Sequence, residues 1–481
     1  MSVDIEKLDH GRAAVPDAAI ADLRRAVAGA VALPGEPGYD EARTLWNAMV
    51  DRRPALVVRA ASAEDVVAAL AFARAHDLLL GVRSGGHQIA GLAVADGAML
   101  LDLSPLRAVT VDAGRRVARV EPGATLGEID AATQAHGLAL PTGINSTTGI
   151  AGLTLGGGFG WISRRYGLTI DNLRAAELVT ADGARLRASA EENPDLFWAI
   201  RGGGGNFGVV TAFEFDLHPV GPEVTAGLIV HPFDAGLLRD FDRLARAAPD
   251  GLTIWTVMRQ APPLPFLPED WHGRAVLVLA VCYIEPSPEG DAVLAELRGL
   301  GAPIADVVGP TPFTGWQAAF DPLLTPGARN YWKSHDVGAI SDGMIAAIDQ
   351  AIRALPGPQC EIFFGTVGGA ANRVAPEATA FPQRAAHYAM NVHTRWDDPA
   401  EDAACVAWAR ALYEAAAPHA LGSVYVNFIP DDEAGRLGEA YGGNLERLAR
   451  IKARYDPENR FRLNHNIAPA PAERPVPHAV G

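Results

Sequence analysis

Positions 83–88 read Arg-Ser-Gly-Gly-His-Gln, directly after the apolar run LLLGV. Paired glycines at the mouth of a strand let backbone amides close around an anion with no Cβ in the way. The histidine behind them carries a side chain that can reach something reactive. One such turn is more often just a tight turn. Two further glycine-dense turns, TTGIAGLTLGGGFG and RGGGGNFG, follow before residue 209. Three together favour a large, extended ligand that carries a pyrophosphate. Gly203, Gly205 and Gly208 satisfy G-x-G-x-x-G literally, but that fingerprint needs a strand before it and a helix after it. Here the order is reversed, so a Rossmann reading is rejected, and no G-x-x-x-x-G-K-[ST] loop occurs.

The elements that must position these turns alternate between strand and helix signals from about residue 55 to 217. SAEDVVAALAFARAHD opens with Ser62 followed by Asp65, a capping-box pattern, and TLGEIDAATQAHG repeats it with Thr125 and Glu128 before a stop at Gly137. MLLDL, AVTV and RVARVEPG read as short strands. ELVTADGARLRAS reads as a hairpin, and NPDLFWAIRGGGG as a helix capped by Asn193 with Pro194 at its first position. Between 221 and 424, Pro-rich loops such as APPLPFLPED interrupt strands (AVLVLAVCYIE) and helices (SDGMIAAIDQAIRAL), which points to a second domain with a different task. After 424 come a strand-like SVYVNF, the helix YGGNLERLARIKARY and the stop signal DPENRF. No internal repeat is evident.

Composition narrows the function classes. The chain has 481 residues, 49% hydrophobic and 20% charged, with disorder-like composition only in the Pro/Ala-rich tail APAPAERPVPHAVG. A formal charge of −16 repels phosphate backbones and argues against nucleic acid as a partner. No apolar run approaches the ~20 residues of a membrane helix, and the acidic start MSVDIEKLDHGR is not a secretory signal. Cys282, Cys360 and Cys405 lie far apart and read as buried free thiols of a reducing compartment, so a cytoplasmic location is expected. No H-E-x-x-H or H-x-H cluster supports a metal.

VRSGGHQIAG, GINSTTGIAGLTLGGGFGWISRRYGLTIDNL, NPDLFWAIRGGGGNFGVVT and YGGNLERLARIKARYDPENRF, in this order, resemble the FAD-linked oxidases of the berberine-bridge-enzyme-like group. That group lies within the vanillyl-alcohol-oxidase superfamily, with its p-cresol-methylhydroxylase-type FAD domain. The resemblance is close over roughly 50–220 and 424–468. It implies an α+β fold: an FAD-binding domain over 1–220 (core 50–217), a substrate domain over 221–424 with an antiparallel sheet covered by helices, and a C-terminal segment, 425–481, returning to the FAD domain.

Residue by residue, the resemblance implies that Arg83, Ser84, Gly85, Gly86, His87 and Gln88 wrap the FAD pyrophosphate, with His87 bonded covalently to the flavin 8α-methyl. Relatives with a second covalent bond use a cysteine in G-x-C-x-T-x-G. Here the stretch is Gly143-Ile144-Asn145-Ser146-Thr147-Thr148-Gly149, so Asn145 replaces the cysteine and a single attachment is expected. Gly149, Gly152, Gly156, Gly157 and Gly158 are the close-approach positions along the ring and ribityl chain, with Leu153, Thr154 and Leu155 the residues that crowd the path of oxygen. Val209 matches a contact on the adenosine side, and Tyr425, Asn427 and Asn464 match positions that return to the flavin.

The implied activity is oxidation of an alcohol-bearing small molecule, a carbohydrate or a secondary metabolite, with dioxygen as acceptor and a side chain taking the hydroxyl proton. A dehydrogenase using another acceptor, or a flavin protein without catalysis, stays open. Many relatives carry a tyrosine where this chain has Phe428, which cannot move a proton. Tyr425, Tyr166, and the alternating pair Asn391 and His393 in HYAMNVHTRW remain as candidate bases, with Trp332, Lys333 and His335 weaker.

Overall fold

The structure is a computed structural model that describes residues 2–471; residues 472–481, most of the Pro/Ala-rich tail, lie outside the described residues. Its first sheet has four strands, in the order Ala30–Ala32, Leu56–Arg59, Met99–Asp102, Leu80–Arg83. The last three strands pair in parallel, in register Leu56↔Met99 and Leu80↔Met99, and the first pair is antiparallel. Leu56, Val57 and Val58 are all fully buried, as parallel strands covered on both faces must be. The helix Ala63–Ala75 begins as the capping pattern predicts, with Ser62 Oγ accepting from the Asp65 N–H at 3.2 Å. The Asp65 carboxylate also takes the N–H groups of Ala28, Gly29 and Ala61, which ties the N-terminal segment to this layer.

A five-stranded antiparallel sheet follows, ordered Arg185–Ser189, Leu173–Val179, Val209–Asp216, Val117–Val120, Val109–Asp112. The predicted hairpin is its first pair, and the full capping box at Thr125 and Glu128 opens the helix Leu126–Gln134 that packs on it. The C-terminal helix Leu445–Tyr455 joins the same core beside Pro194–Ile200. Lys452 in that helix is fully buried, yet each of its protons has an acceptor: Asp456 at 2.6 Å, the Asn206 carbonyl at 2.7 Å and the Phe461 carbonyl at 3.0 Å. The third glycine turn is thereby clamped to the end of the chain.

The third layer is an eight-stranded antiparallel sheet. Its main order is Ala305–Asp306, Glu223–Pro232, Ala275–Tyr283, Leu252–Gln260, Glu361–Thr366, Tyr388–Trp396, Arg329–Val337. Helices Leu237–Ala247, Pro288–Arg298, Asp342–Ile352 and Asp402–Ala416 supply side chains to the core on one face. Alternation sends Ile254 and Met258 into that core and turns Trp255, Val257 and Arg259 the other way. AVLVLAVCY reads as an unbroken apolar run because both of its faces are covered.

Two local expectations are corrected. SVYVNF does not form a strand: after Tyr425 the chain makes a 3-10 turn over Val426–Phe428, as Asn427 folds back to donate to the Leu153 carbonyl and the Tyr425 hydroxyl. Asn193 starts its helix in the left-handed region, φ 49°, and its side chain donates to the Arg187 carbonyl instead of capping. Among the described residues no helix is long and apolar enough to cross a membrane, and no group of three or more His, Cys, Asp or Glu could hold a metal ion.

Candidate functional site

A cavity of about 400 Å³ lies between the glycine turns and the face of the eight-stranded sheet turned away from its helices. The sequence-predicted positions Arg83, Ser84, Gly85, Gly86, His87 and Gln88 line it, with Gly143, Asn145, Thr148, Gly149, Gly152, Gly156, Val209, Asn427 and Asn464. Two loops make one wall: a Cβ on Gly85 would stand 2.6 Å from the Gly149 Cα, so only glycine lets them touch. Arg83 is held at the root of the first loop by the fully buried Asp102, at 3.0 Å, and that carboxylate also accepts from Arg59, from the Ser104 N–H and from the Ser104 hydroxyl.

His87 points into the cavity, stacked on Trp46 with ring centroids 4.6 Å apart. Its Nε2 is buried and has no hydrogen-bond partner, and desolvation lowers its pKa to about 4, so the imidazole is neutral at pH 7. Gln88 reaches the C-terminal segment, its Nε2 lying 2.8 Å from His465 Nε2. Asn145 turns into its own loop, its Oδ1 accepting from the Thr147 N–H and hydroxyl, and its Nδ2 lies 3.5 Å from the Leu324 carbonyl. Asn464 bridges the Gly205 and Phe461 carbonyls, leaving its Oδ1 buried without a partner.

The opposite wall is the sheet. His393 lines the cavity, and its Nδ1 is 3.1 Å from Glu361 Oε1, while Glu361 Oε2 accepts from Arg259 at 2.6 Å. Burial raises the Glu361 carboxyl, but Arg259 and His393 more than offset that and leave it below its ordinary value. An ionised carboxylate only accepts, so Nδ1 carries a proton toward it, and in the neutral imidazole Nε2 is the nitrogen with the bare lone pair. That Nε2 is buried and has no partner. Trp332 stands edge-on to His393 at 4.7 Å and to Trp46 at 5.7 Å, so the two tryptophans link the two imidazoles.

The remaining predicted residues fall elsewhere. Tyr166 is outside the cavity, stacked on His218 at 4.0 Å with its hydroxyl toward the Pro219 carbonyl, which corrects its assignment as a base. Gly157 and Gly158 do not line the cavity either: Gly157 lies against the Phe381 and Tyr425 rings and Gly158 against Thr169 and Leu153. Asn391 is fully buried one row deeper in the sheet, paired with Ser334 and Phe363, with both amide atoms unpartnered. Tyr425 lines the cavity, but its oxygen accepts from the Gly158 N–H at 3.0 Å and Asn427 Nδ2 at 2.9 Å, and burial pushes its pKa up to about 12. Phe428, Leu153 and Leu155 also line it, whereas Thr154 is buried behind. Lys333 pairs with Glu433, and His335 Nε2 donates to the Tyr413 carbonyl at 2.9 Å, both away from the cavity.

Residues 54–189 match the FAD binding domain family, and residues 424–468 match the family described as berberine and berberine like. An uncharacterized FAD-linked oxidoreductase of Bacillus subtilis, YgaK, is 33% identical over 90% of this chain and 95% of its own. The chain belongs to the berberine-bridge-enzyme-like FAD-linked oxidoreductases. The (R)-6-hydroxynicotine oxidase of Paenarthrobacter nicotinovorans is 30% identical over 92% of this chain and 97% of its own. The solved 6-hydroxy-D-nicotine oxidase from Arthrobacter nicotinovorans superposes with a TM-score of 0.81 at 28% identity, covering 92% of this chain and 98% of that one. This berberine-bridge-enzyme-like protein is therefore an FAD-linked oxidoreductase, with the mixed fold of antiparallel sheets and helices of its relatives.

The cavity fits FAD on its own geometry. At Gly152 and Gly205 the space where a Cβ would stand is open, and both positions line the cavity. Arg83 Nε, His87 Nε2 and Asn464 Oδ1 are buried polar atoms without partners along the same wall, the kind that ask for a ligand. Arg83, beside the Gly85-Gly86 turn, offers positive charge to a pyrophosphate. Sequence reasoning missed Trp46, Arg259, Glu361 and His465. A signal for two of them was present: Arg259 and Glu361 are lone charges within apolar strands, LTIWTVMRQ and EIFFGT, where an unpaired charge is too costly to bury.

Proposed function

We propose that this oxidoreductase oxidises an alcohol-bearing small molecule to its carbonyl, with FAD attached covalently through His87 alone and dioxygen as the final acceptor, released as hydrogen peroxide. FAD, when bound, supplies the two-electron acceptor. His87 is suited to the attachment by its neutral, unpartnered imidazole inside the cavity, and Asn145 offers no thiol for a second bond.

The observation that carries the reaction is the Arg259–Glu361–His393 series on the sheet face. Arg259 keeps Glu361 ionised, Glu361 fixes the tautomer and orientation of His393, and Nε2 receives the substrate's hydroxyl proton. Tyr425 is the less suitable base: the two N–H donors to its oxygen favour the phenolate, but burial outweighs them and leaves its pKa near 12. A peroxidase-coupled assay across an alcohol panel, run beside dye reduction, tests the reading. Peroxide formed in step with carbonyl supports it. Dye reduction without peroxide assigns a dehydrogenase, and a flavin that no alcohol bleaches assigns a carrier.

A further inference from the structure

We infer that the substrate is a largely apolar alcohol, aromatic or isoprenoid, rather than a carbohydrate; this rests on the FAD-dependent reading above. The half of the cavity away from the glycine turns is walled by Leu228, Val230, Val257, Val276 and Val278 from three adjacent strands of the sheet. Leu264 and Phe266, from the Pro-rich loop after Gln260, pack on the same apolar cluster and line the same space. Nearer the flavin side stands an aromatic box. Trp255 and Phe363 lie parallel, 3° apart in plane, and Trp161 lies 4.6 Å from Trp255.

The polar side chains of this half are already committed to one another. Arg259 gives its donors to Glu361, to the Gln260 carbonyl and to the Pro358 carbonyl. Both Glu361 oxygens are taken, by Arg259 and His393. Beside the aromatic box, buried and without partners, are a few single atoms of lining residues: His393 Nε2 and the indole N–H groups of Trp332, Trp255 and Trp161. A sugar ring brings a hydroxyl on nearly every carbon, and each one left unpaired on desolvation is costly. A molecule with one hydroxyl finds its acceptor at His393 and covers the valine wall with the rest of its surface.

Titration of the flavin-loaded protein without oxygen tests this. Cinnamyl alcohol and geraniol are compared with glucose and cellobiose, following both tryptophan fluorescence and the flavin absorption band. The apolar alcohols are expected to bind about 10²-fold more tightly than the sugars. Val278→Asp is expected to weaken them, and the near-isosteric Val278→Thr to weaken them less while leaving the flavin band unchanged. Sugars binding as tightly as the alcohols, or no response of either signal to any alcohol, overturns the inference. Tryptophan emission that selects the apolar alcohols while no alcohol bleaches the flavin band would sink the alcohol-oxidation reading and leave the apolar ligand class standing.

Discussion

The two walls of the cavity are built by different means. On the flavin side the chain uses backbone: loops at 83–88 and 143–158 approach each other where a Cβ would collide, as at Gly85 against Gly149, and the 202–208 turn lines the same wall. On the substrate side it uses one face of a sheet, where alternate side chains of strands such as Leu252–Gln260 and Ala275–Tyr283 make the surface. A backbone-built wall admits few residue types and leaves a dense glycine signature. A side-chain wall accepts any apolar residue of fitting size, and its specificity hides among ordinary valines and leucines. The two are joined rigidly: Asn47, from the flavin side, bonds the Ile89 carbonyl and both the N–H and the carbonyl of Asn330 on the sheet.

If the flavin wall depends on its clamp to the C-terminal helix, Lys452→Met should have the largest effect on stability. It leaves Asp456 buried without its ion-pair partner, a loss of about 3–5 kcal/mol, and should lower the fraction of chains that take up FAD as the 204–206 turn loosens; thermal unfolding and flavin content measure both. Retained stability and full flavin content would mean that the turn holds itself.

A substitution on the other wall should separate chemistry from cofactor binding. His393→Ala is expected to lower the rate of anaerobic flavin reduction by about 10²-fold or more with flavin content unchanged. Glu361→Gln should act less strongly, through loss of the fixed tautomer, and should change the pH profile of reduction. Loss of flavin in either variant would break the division between the walls.

The flavin wall was legible because its chemistry is local in sequence: RSGGHQ, GINSTTG and RGGGGNFG each carry their own reason for glycine, and the capping boxes at Ser62 and Thr125 fix the helices beside them. The substrate wall was not, because Arg259, Glu361 and His393 come from three strands whose pairing no local pattern specifies. Alternation did place Asn391 and His393 on one face, yet not at one depth: His393 reaches the cavity and Asn391 stays behind it. Tyr166 is a candidate only through the resemblance, as the match to a residue near the flavin's edge; in the structure it precedes the turn through Gly167, φ 84°, and its ring stacks on His218.

A smaller effect concerns acid. His87 and His465, both at the flavin wall, have pKa values lowered from 6.5 to about 4 by desolvation. As pH falls from 6.5 toward 4 the unfolded chain gains protons that the folded chain refuses, so stability falls with pH across that window. Protonated His465 would also turn an N–H against the Gln88 amide. His465→Gln should flatten this slope in flavin-free protein, read as Tm against pH; an unchanged slope contradicts the assignment. Smallest of all, Tyr166→Phe should leave the reduction rate and stability within about 0.5 kcal/mol of the parent, and a large drop in rate would return that residue to the site.

The most direct test of the account is the fate of the yellow colour when the protein is precipitated in acid. Attachment through His87 alone predicts that the flavin stays with the pellet of the parent protein, and that in His87→Ala it moves wholly into the supernatant. A colourless parent pellet under a yellow supernatant, or a yellow pellet from His87→Ala, would contradict it.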